Sequence, residues 1–190
     1  MTDTDAGEYF PDLLTDRLLL RQLAQDDLEF IYHHFKDAQV SQYLLDEAPV
    51  ADYDQAQAII DFYLKADPKT YNRWVLVRKS DSQVIGTCGF HKWSKDNHRV
   101  EIGYDLSPAF WGQGYMREAM RAAIDNGFTR MGLNRVEAVV HCDNQRSLKL
   151  LERLGFKREG LMRDYYYYEG CYYDHWLLSL LKRDWEDELT

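Results

Sequence analysis

The chain has 190 residues, of which 45% are apolar and 29% charged, and this balance predicts one globular domain of ordinary size over residues 1–190. The formal net charge of −9 argues against a nucleic-acid partner, because neutralising phosphates requires basic patches. This charge suits a cationic partner, or solubility alone.

Cysteine content and hydropathy bear on where the protein works. An odd number of cysteines without a CxxC pair predicts free thiols in a reducing cytosol; they are Cys88, Cys142 and Cys171. No apolar run reaches the about 18 residues that a membrane helix needs, and residues 1–8 are too acidic and polar for a signal peptide. We therefore expect a cytoplasmic protein without a membrane partner. We also expect no metal, since the only adjacent histidines, His33 and His34, fall on different faces of a helix.

The first third of the chain predicts a strand and two helices. Residues 1–11 are expected to form a loose tail, and the first strand covers residues 15–23. Asp26 and Asp27 are suited to cap a helix whose apolar face carries Leu28, Ile31, Tyr32 and Phe35. A second helix follows Asp52, and its apolar face is formed by Ala56, Ile59, Ile60, Tyr63 and Leu64.

The middle of the chain alternates between apolar and polar residues, as antiparallel strands do. Two strands, 73–78 and 83–90, are joined by a polar turn and form a hairpin. The next strand has one apolar face, made by Val100, Ile102, Tyr104 and Leu106, and an opposite face made by Glu101, Gly103 and Asp105. Pro108 ends this strand, because proline cannot donate to a strand ladder.

A glycine-containing turn, 112–114, connects this strand to a helix. From Met116 to Met131 the apolar residues recur every three or four positions, which is one stripe of a helix. Such a turn directs free N–H groups outward at the start of the helix, and the helix dipole favours an anion there. We therefore predict a phosphate cradle. It is neither a Walker motif nor GxGxxG, because Arg117 stands where the third glycine would be.

The last third predicts a strand, a helix, a hairpin and a terminal helix. The strand 134–141 follows the central helix, and the strand–helix–strand order predicts a right-handed crossover between parallel neighbours. A short helix opens at 143–147, and Gly155 suits the left-handed position after its end. The chain then forms a hairpin that turns at Glu169–Gly170, followed by a short helix over 183–189.

Two stretches resemble the signatures of the GNAT superfamily of N-acetyltransferases. The segment from Trp111 to Met116 resembles its pyrophosphate loop, Gln/Arg-x-x-Gly-x-Gly/Ala, with Gly114 matching the pattern and both ends departing from it. The longer string EIGYDLSPAFWGQGYMREA resembles the branch that acetylates the N-termini of ribosomal proteins. The string NQRSLKLLERLGF, which begins at Asn144, resembles the second GNAT signature. The resemblance covers residues from about 14 to about 185.

The resemblance implies an α/β fold of GNAT type, with a mixed, mostly antiparallel twisted sheet and helices on both faces. It implies acetyl-CoA as the acyl donor, held where two parallel strands separate, with its pantetheine arm on the free edge of the first strand. The residues implied to contact acetyl-CoA are Leu106, Trp111, Gly112, Gln113, Gly114, Tyr115, Met116, Arg117, Asn144 and Ser147. Arg146 and Lys149 either reach its phosphates or are merely solvated.

Two residues are candidates for the acid–base chemistry of acetyl transfer. Glu101 lies on the strand that would carry the thioester, and in this family a glutamate at this position often acts as a base through an ordered water. The alternative is a strand glutamate paired with a basic residue. Ser147 would stabilise the leaving thiolate, because residues 150–153 lack the tyrosine common in the family; alternatively it satisfies a backbone group. Asn144 bonds the pantetheine, caps its helix, or does both.

Other polar residues near the expected centre have both a functional and a structural interpretation. Cys142 would act only through a covalent acetyl-enzyme, with His141 as its one nearby activator. Acidic residues of the N-terminal helices would attract a cationic acceptor or form a solvated face: Asp46, Glu47, Asp52, Asp54 and Asp61. The tyrosines at 165–168 belong to the core or the sheet surface, or line the acceptor mouth or a homodimer contact.

The sequence therefore predicts an enzyme that moves an acetyl group from acetyl-CoA to a primary amine by direct attack. By resemblance, the acceptor is the N-terminal amine of a protein, such as a basic ribosomal protein. Two alternatives stay open. One is transfer to a small amine such as a polyamine, an amino acid or an aminoglycoside, and the other is a sensor that binds acyl-CoA without turnover. Met116 and the missing tyrosine are the features that favour the sensor.

Overall fold

The computed structural model describes residues 9–45, 48–65 and 70–187. Among them, eight strands form one sheet: β1 Leu13–Leu14, β2 Leu18–Gln22, β3 Trp74–Arg78, β4 Gln83–Ser94, β5 Arg99–Leu106, β6 Arg135–His141, β7 Lys157–Tyr168 and β8 Cys171–Leu181. Their spatial order is β1-β2-β3-β4-β5-β6-β8-β7. β5 and β6 run parallel, and the other neighbouring pairs are antiparallel. Asp46 and Glu47 lie outside the described residues.

Six α-helices connect or follow the strands in the described part of the chain: α1 Leu28–Lys36, α2 Ala38–Ser41, α3 Tyr53–Lys65, α4 Tyr115–Thr129, α5 Gln145–Glu152 and α6 Lys182–Asp187. Two short 3-10 turns, Gln25–Asp27 and Pro108–Phe110, precede α1 and α4. The crossover from β5 through α4 to β6 therefore joins the two parallel strands, as predicted.

Apolar side chains are buried on both faces of the sheet. On one face, Trp74 and Leu76 belong to a large core that includes residues of α4, α5 and α6. On the other face, Val75 packs with Ile31 of α1 and Ile60 of α3. Successive residues of β3 alternate between the two cores because strand side chains alternate between faces. The expected fold, a mixed and mostly antiparallel sheet with helices on both faces, is confirmed.

Residues 9–11 are packed against the core, so the expected loose tail is wrong for this segment. Phe10 is 3% exposed, and its ring centroid lies 6.0 Å from those of both Trp74 and Trp93. Two backbone carbonyls of the segment accept side-chain hydrogen bonds from the sheet. Aromatic packing and these hydrogen bonds offset the entropy that a free terminus would retain. The rest of the expected tail, residues 1–8, lies outside the described residues.

Glycine positions and turns follow the sequence closely. Gly155, which follows α5, has a φ of 86°, as its predicted left-handed position requires. The hairpin turns at Glu169 and Gly170, with φ angles of 47° and 85°, so this predicted turn is confirmed. The first strand of this hairpin, β7, includes the tyrosine run and has two shifts in its register to β8.

Asp27 does not cap α1 as predicted. Its carboxylate instead accepts two hydrogen bonds from the guanidinium of Arg21, at 2.7 and 2.8 Å, and one from the N–H of Ala24, at 2.8 Å. Asp27 is 3% exposed, and this two-pronged pair joins β2 to the start of α1. Asp52, in contrast, does hold the start of α3, because it accepts a hydrogen bond from the N–H of Gln55 at 2.9 Å.

We expect Asp27→Asn to lower the free energy of unfolding by about 2 kcal/mol, because the partly buried guanidinium of Arg21 loses its charge partner. Urea denaturation followed by circular dichroism measures the change. The exposed neighbour provides a matched control, and Asp26→Asn should change stability by less than about 0.5 kcal/mol. Equal effects of the two substitutions would contradict a stabilising role for the buried pair.

Candidate active site

β5 and β6 pair over three positions and then separate. Their shared register ends where Glu101 lies opposite Glu137, whereas β5 continues to Leu106 and β6 to His141. Beyond this point β5 stays paired with β4, and β6 with β8, so the two facing edges are no longer paired with each other. Unpaired strand edges present N–H and C=O groups that need other partners. We call this gap, which begins at Ile102, the β5–β6 cleft, and it is the strand separation that the resemblance implies.

Trp111 ties the chain after β5 back to the cleft. The indole N–H of Trp111 donates to the carbonyl oxygen of Leu106 at 2.7 Å. The guanidinium of Arg146, on α5, lies 4.1 Å from the centre of the indole ring. Phe110, just before Trp111, is buried and anchors the turn in the core. The side chain of Trp111 therefore links the end of β5 to α5, the helix that follows β6.

The glycine turn lies at the start of α4, as predicted. Gly112 and Gly114 have φ angles of 75° and 82°, which residues with side chains rarely adopt. Gly114 immediately precedes α4 and has no side chain to cap it, so the N–H groups of the first turn point out of the helix end. The side chains of Tyr115 and Met116 are buried, and only their backbone is available to an anion. Arg117 is exposed beside them.

An arginine from a distant part of the chain holds this turn. Arg17, between β1 and β2, donates to the carbonyl oxygen of Gln113 at 3.0 Å and to the carboxylate of Glu118 at 2.6 Å. Its guanidinium also lies 4.3 Å from the ring centre of Tyr115. An open cavity of about 630 Å³ adjoins the turn, and its lining includes the arginines Arg17, Arg117 and Arg121. Sequence reasoning missed Arg17, because 101 residues separate it from Glu118 and no local pattern connects them.

Two hydroxyl groups meet at the cleft. Those of Tyr104 in β5 and Ser147 in α5 are 2.6 Å apart. Burial raises the pKa of Tyr104 above its ordinary value, although the contact with Ser147 works in the opposite direction, so the phenol keeps its proton at neutral pH. Ser147 was a predicted site residue, whereas Tyr104 was assigned only to the apolar face of its strand. The overlooked signal is a phenol in an otherwise aliphatic row, because a buried tyrosine hydroxyl usually needs a partner.

The contacts at the start of α5 show which structural roles Asn144 and Ser147 have. The side chain of Asn144 accepts a hydrogen bond from the N–H of Ser147 at 3.1 Å, so Asn144 caps the helix. The hydroxyl of Ser147 contacts Tyr104, which differs from the alternative in which it satisfies a backbone group. The cap orients the first turn of α5 and thereby directs the Ser147 hydroxyl toward β5.

Glu101 lies on the face of β5 opposite to Tyr104, which we call the acceptor face. Its carboxylate accepts a hydrogen bond from the ammonium group of Lys92 at 2.9 Å. The structural alternative, a strand glutamate paired with a basic residue, is therefore present. The pair leaves room for a catalytic role, because 52% of the Lys92 side chain and 19% of the Glu101 side chain are exposed and water reaches both.

Further along the acceptor face, a buried ion pair holds the end of β5. Asp105 accepts hydrogen bonds from His34 of α1 at 2.6 Å and from Arg73 at 3.1 Å. It also accepts one from the hydroxyl of Thr87 at 2.6 Å. Burial works to raise the pKa of Asp105, but the charges of His34 and Arg73 and the hydrogen bonds bring it below its usual value. Asp105 therefore fastens α1 and the segment before β3 to β5, close to the glycine turn.

The Cys142 thiol is not activated. Burial, followed by the charges of Asp174 and Asp143, raises the pKa of Cys142, whereas a nucleophilic cysteine needs a lowered pKa. His141, its one expected activator, uses Nδ1 to accept a hydrogen bond from the N–H of Asp143 at 3.1 Å. These contacts favour direct transfer over a covalent acetyl-cysteine.

The acidic residues expected to attract a cationic acceptor are engaged locally or exposed. Asp61 accepts hydrogen bonds from Lys65 and Gln57 within α3. Asp52 holds the start of the same helix, and Asp54 is exposed. This arrangement favours the solvated-face interpretation for α3.

The three cysteines are free, and one of them, Cys88, is buried. Within residues 9–45, 48–65 and 70–187, no group of three or more His, Cys, Asp and Glu side chains is arranged to hold a metal ion. No helix in the described part of the chain combines the length and the apolar content needed to cross a membrane.

Known proteins with similar sequences are N-acetyltransferases. The family described as "Acetyltransferase (GNAT) domain" matches residues 17–157. The uncharacterized N-acetyltransferase p20 of Bacillus licheniformis is 41% identical over 177 residues, which are 91% of this chain and 97% of that protein. The [ribosomal protein uS5]-alanine N-acetyltransferase of Escherichia coli is 29% identical over 182 residues, covering 91% of this chain and 92% of that protein.

Solved structures show the same fold. An acetyltransferase of the GNAT family from Bacillus anthracis superposes with a TM-score of 0.81 at 23% identity, over 90% of this chain and 99% of that one. A spermidine N-acetyltransferase from Vibrio cholerae, in complex with CoA and spermine, superposes with a TM-score of 0.80 at 22% identity over the same shares. With a family match over residues 17–157 and a relative 41% identical over almost its whole length, the chain belongs to the GNAT family of acetyl-CoA-dependent N-acetyltransferases.

Proposed function

We propose that this N-acetyltransferase moves an acetyl group from acetyl-CoA to the N-terminal amine of a protein, and that the reaction takes place at the β5–β6 cleft. The observation that carries the proposal is the pair of hydroxyls, Tyr104 and Ser147, at the point where the strands separate. Glu101 lies on the other face of the same strand. In our proposal one strand carries both the proton donor and the base, on opposite sides of the position of the thioester.

The groups around the cleft fit acetyl-CoA, which supplies an acetyl thioester. The uncapped N–H groups at the start of α4 suit the pyrophosphate, and the exposed Arg117 adds positive charge beside them. The free edge of β5 from Ile102 suits an extended arm that carries amide groups. The carbonyl of Leu106 already accepts the indole N–H of Trp111, so this arm would use the positions before it.

The reaction needs one bond to form and one to break. The amine nitrogen attacks the thioester carbonyl carbon, the N–C bond forms, and the C–S bond breaks. In our proposal Glu101 takes the proton released by the amine through an ordered water. Ser147 donates a hydrogen bond to the departing sulfur, and Tyr104 supplies the proton through it, so that the thiolate leaves as a thiol.

Tyr104 supports turnover over the sensor alternative. The sequence lacks the tyrosine that many family members carry on the helix equivalent to α5, and β5 supplies a phenol in its place. Because burial raises the pKa of Tyr104, the hydroxyl holds its proton at neutral pH, and in our proposal this proton passes to the departing sulfur through Ser147.

Charge and relatives support a protein N-terminus as the acceptor. The E. coli relative is named for the alanine of ribosomal protein uS5. Carboxylates along β5, β6 and β7 are compensated by basic partners: Glu101 by Lys92, Glu137 by Arg99 and Arg135, and Glu159 by Arg135. A polyamine needs uncompensated negative charge at several points, so this pairing favours a single amine. Free cysteines suit the cytoplasm, where we place the reaction.

We expect the purified protein to release thiol from acetyl-CoA with peptides that begin with alanine or serine. At equal concentration, spermidine and aminoglycosides should react at least about tenfold more slowly, because the carboxylates along β5, β6 and β7 are already paired with basic side chains. Turnover restricted to small amines would contradict the proposed acceptor. Binding of acetyl-CoA without turnover of any amine would instead support the sensor alternative.

We expect Glu101→Gln to lower kcat by about a hundredfold, because the variant cannot accept the proton of the amine. The KM for acetyl-CoA should stay the same. Glu137→Gln is the matched control, since Glu137 lies directly opposite on β6 and is also bound by basic side chains. A similar loss of rate in both variants would assign Glu101 to the structure instead of the chemistry.

We expect Tyr104→Phe and Ser147→Ala each to lower kcat by about tenfold or more, because the leaving sulfur loses its source of a proton. The double variant should be little slower than either single variant, since both residues act in one chain. Thiol release at saturating substrate measures the rates. Fully additive losses would show that the two hydroxyls act independently.

A further inference from the structure

The ring of His91 occupies the space above Gly103 on the acceptor face. His91, in β4, lies opposite Glu101 in the strand register. A Cβ added to Gly103 would lie 2.8 Å from Cε1 of His91 and 3.3 Å from its Nδ1, so a side chain at 103 would displace the ring. Glu101 is the last residue of β5 that pairs with β6. The imidazole therefore lies where the cleft opens, on the side from which an amine would approach Glu101.

The hydroxyl of Tyr63 favours one tautomer of His91. Arg73 donates to the Tyr63 oxygen at 2.9 Å, and this oxygen lies 3.2 Å from Nε2 of His91. Because arginine can only donate, the phenol is free to give its own proton to Nε2, and this arrangement leaves the ring proton on Nδ1. Arg73 is itself held by Asp105 at 3.1 Å and Thr87 at 2.9 Å, so the chain of hydrogen bonds starts at a buried ion pair.

The remaining donor of His91 has no acceptor in the described protein. Within the described residues its ring makes one hydrogen bond, at Nε2, and Nδ1 makes none. Burial, followed by the charges of Arg73 and Lys92, lowers the pKa of His91 to about 3, so the ring is uncharged at neutral pH and is a poor base. Nδ1 is open to water, because it is not one of the buried side-chain atoms that lack a partner, and a ligand oxygen can take the place of that water.

The ring is also held in one orientation. Its centroid lies 5.8 Å from that of Tyr71 and 6.2 Å from that of Tyr63, at interplanar angles of 30° and 36°. Its Cε1–Nδ1 edge is the part closest to Gly103. A donor held in this way needs no reorganisation when an acceptor arrives, which favours binding.

We propose that the Nδ1–H of His91 donates a hydrogen bond to the carbonyl oxygen next to the reacting amine, and so selects the N-terminus of a peptide over an amine without such a carbonyl. In an N-terminal residue only the α-carbon and the carbonyl carbon separate this oxygen from the amine nitrogen. An amine that approaches Glu101 therefore brings the oxygen toward His91, which lies opposite in register. A polyamine has no carbonyl oxygen and leaves the donor unpaired. The inference rests on the proposed function, because it assumes attack from the acceptor face.

The test compares two acceptors that differ in one group: an alanine-initiated peptide, and the same peptide with its first carbonyl reduced to a methylene. The kcat/KM ratio of the two peptides is measured in the wild type and in His91→Leu. We expect the ratio to fall about tenfold in the variant, through loss of rate with the carbonyl peptide alone. Comparing ratios between the two enzymes cancels the different basicities of the two amines. The KM for acetyl-CoA and the melting temperature should stay the same.

Three further variants separate recognition from folding. His91→Asn keeps a donor near the position of Nδ1 and should retain most of the preference. His91→Gln reaches Tyr63 but has no donor at Nδ1, so it should lose the preference as His91→Leu does, and it replaces that variant if leucine prevents folding. Tyr63→Phe frees the ring proton to move to Nε2 and should cause a partial loss.

The outcomes distinguish this inference from the proposed function. Equal losses of rate with both peptides in His91→Leu and His91→Gln would assign His91 a structural role and overturn the inference, while peptide acetylation would stand. An unchanged ratio would overturn it in the same way. A wild-type enzyme that acetylates polyamines and no peptide would overturn both the proposed acceptor and the inference that His91 binds the carbonyl oxygen of that acceptor.

Discussion

The separation of β5 from β6 after Glu101 is the constraint on which the site depends. Two parallel strands that stayed paired would satisfy each other's backbone groups and leave no edge for a ligand. Side chains from two directions stabilise the unpaired part of β5. The hydroxyls of Tyr104 and Ser147 join β5 to α5, and the indole of Trp111 binds the carbonyl of Leu106 at the end of the strand. Each contact supplies a hydrogen bond where the β5–β6 ladder has ended.

The alternation of side chains along β5 divides the site into two chemical environments. On one face, Tyr104 is half-buried and its phenol is uncharged, with a raised pKa. On the other face, the carboxyl groups of Glu101 and Asp105 are paired with basic neighbours. Gly103, between them, leaves space that the ring of His91 fills. A single extended strand thus keeps a proton-holding group apart from a proton-accepting one, without any rearrangement of its backbone.

Local sequence patterns predict many of the strands, helices and turns that form the site. The alternation in β5, the apolar stripe of α4, the glycine turn before α4 and the left-handed Gly155 depend on residues within one strand or one helical turn, and each is found where it is predicted. Predictions failed where a partner from another element competes for the same group. Asp27 binds Arg21 instead of capping α1, and the segment 9–11 packs on tryptophans that are more than 60 residues away.

The amino-acid sequence alone was sufficient for the strand and helix pattern, the glycine turn and the two signatures that carry the family, because each is written in neighbouring residues. The hydrogen-bond partners of the polar side chains could not be predicted from neighbouring residues. Tyr104 meets Ser147 across 43 residues, and Arg17 meets Glu118 across 101. The packing of the sheet against its helices selects these pairs, because burying a polar group without a partner costs more than any local preference provides.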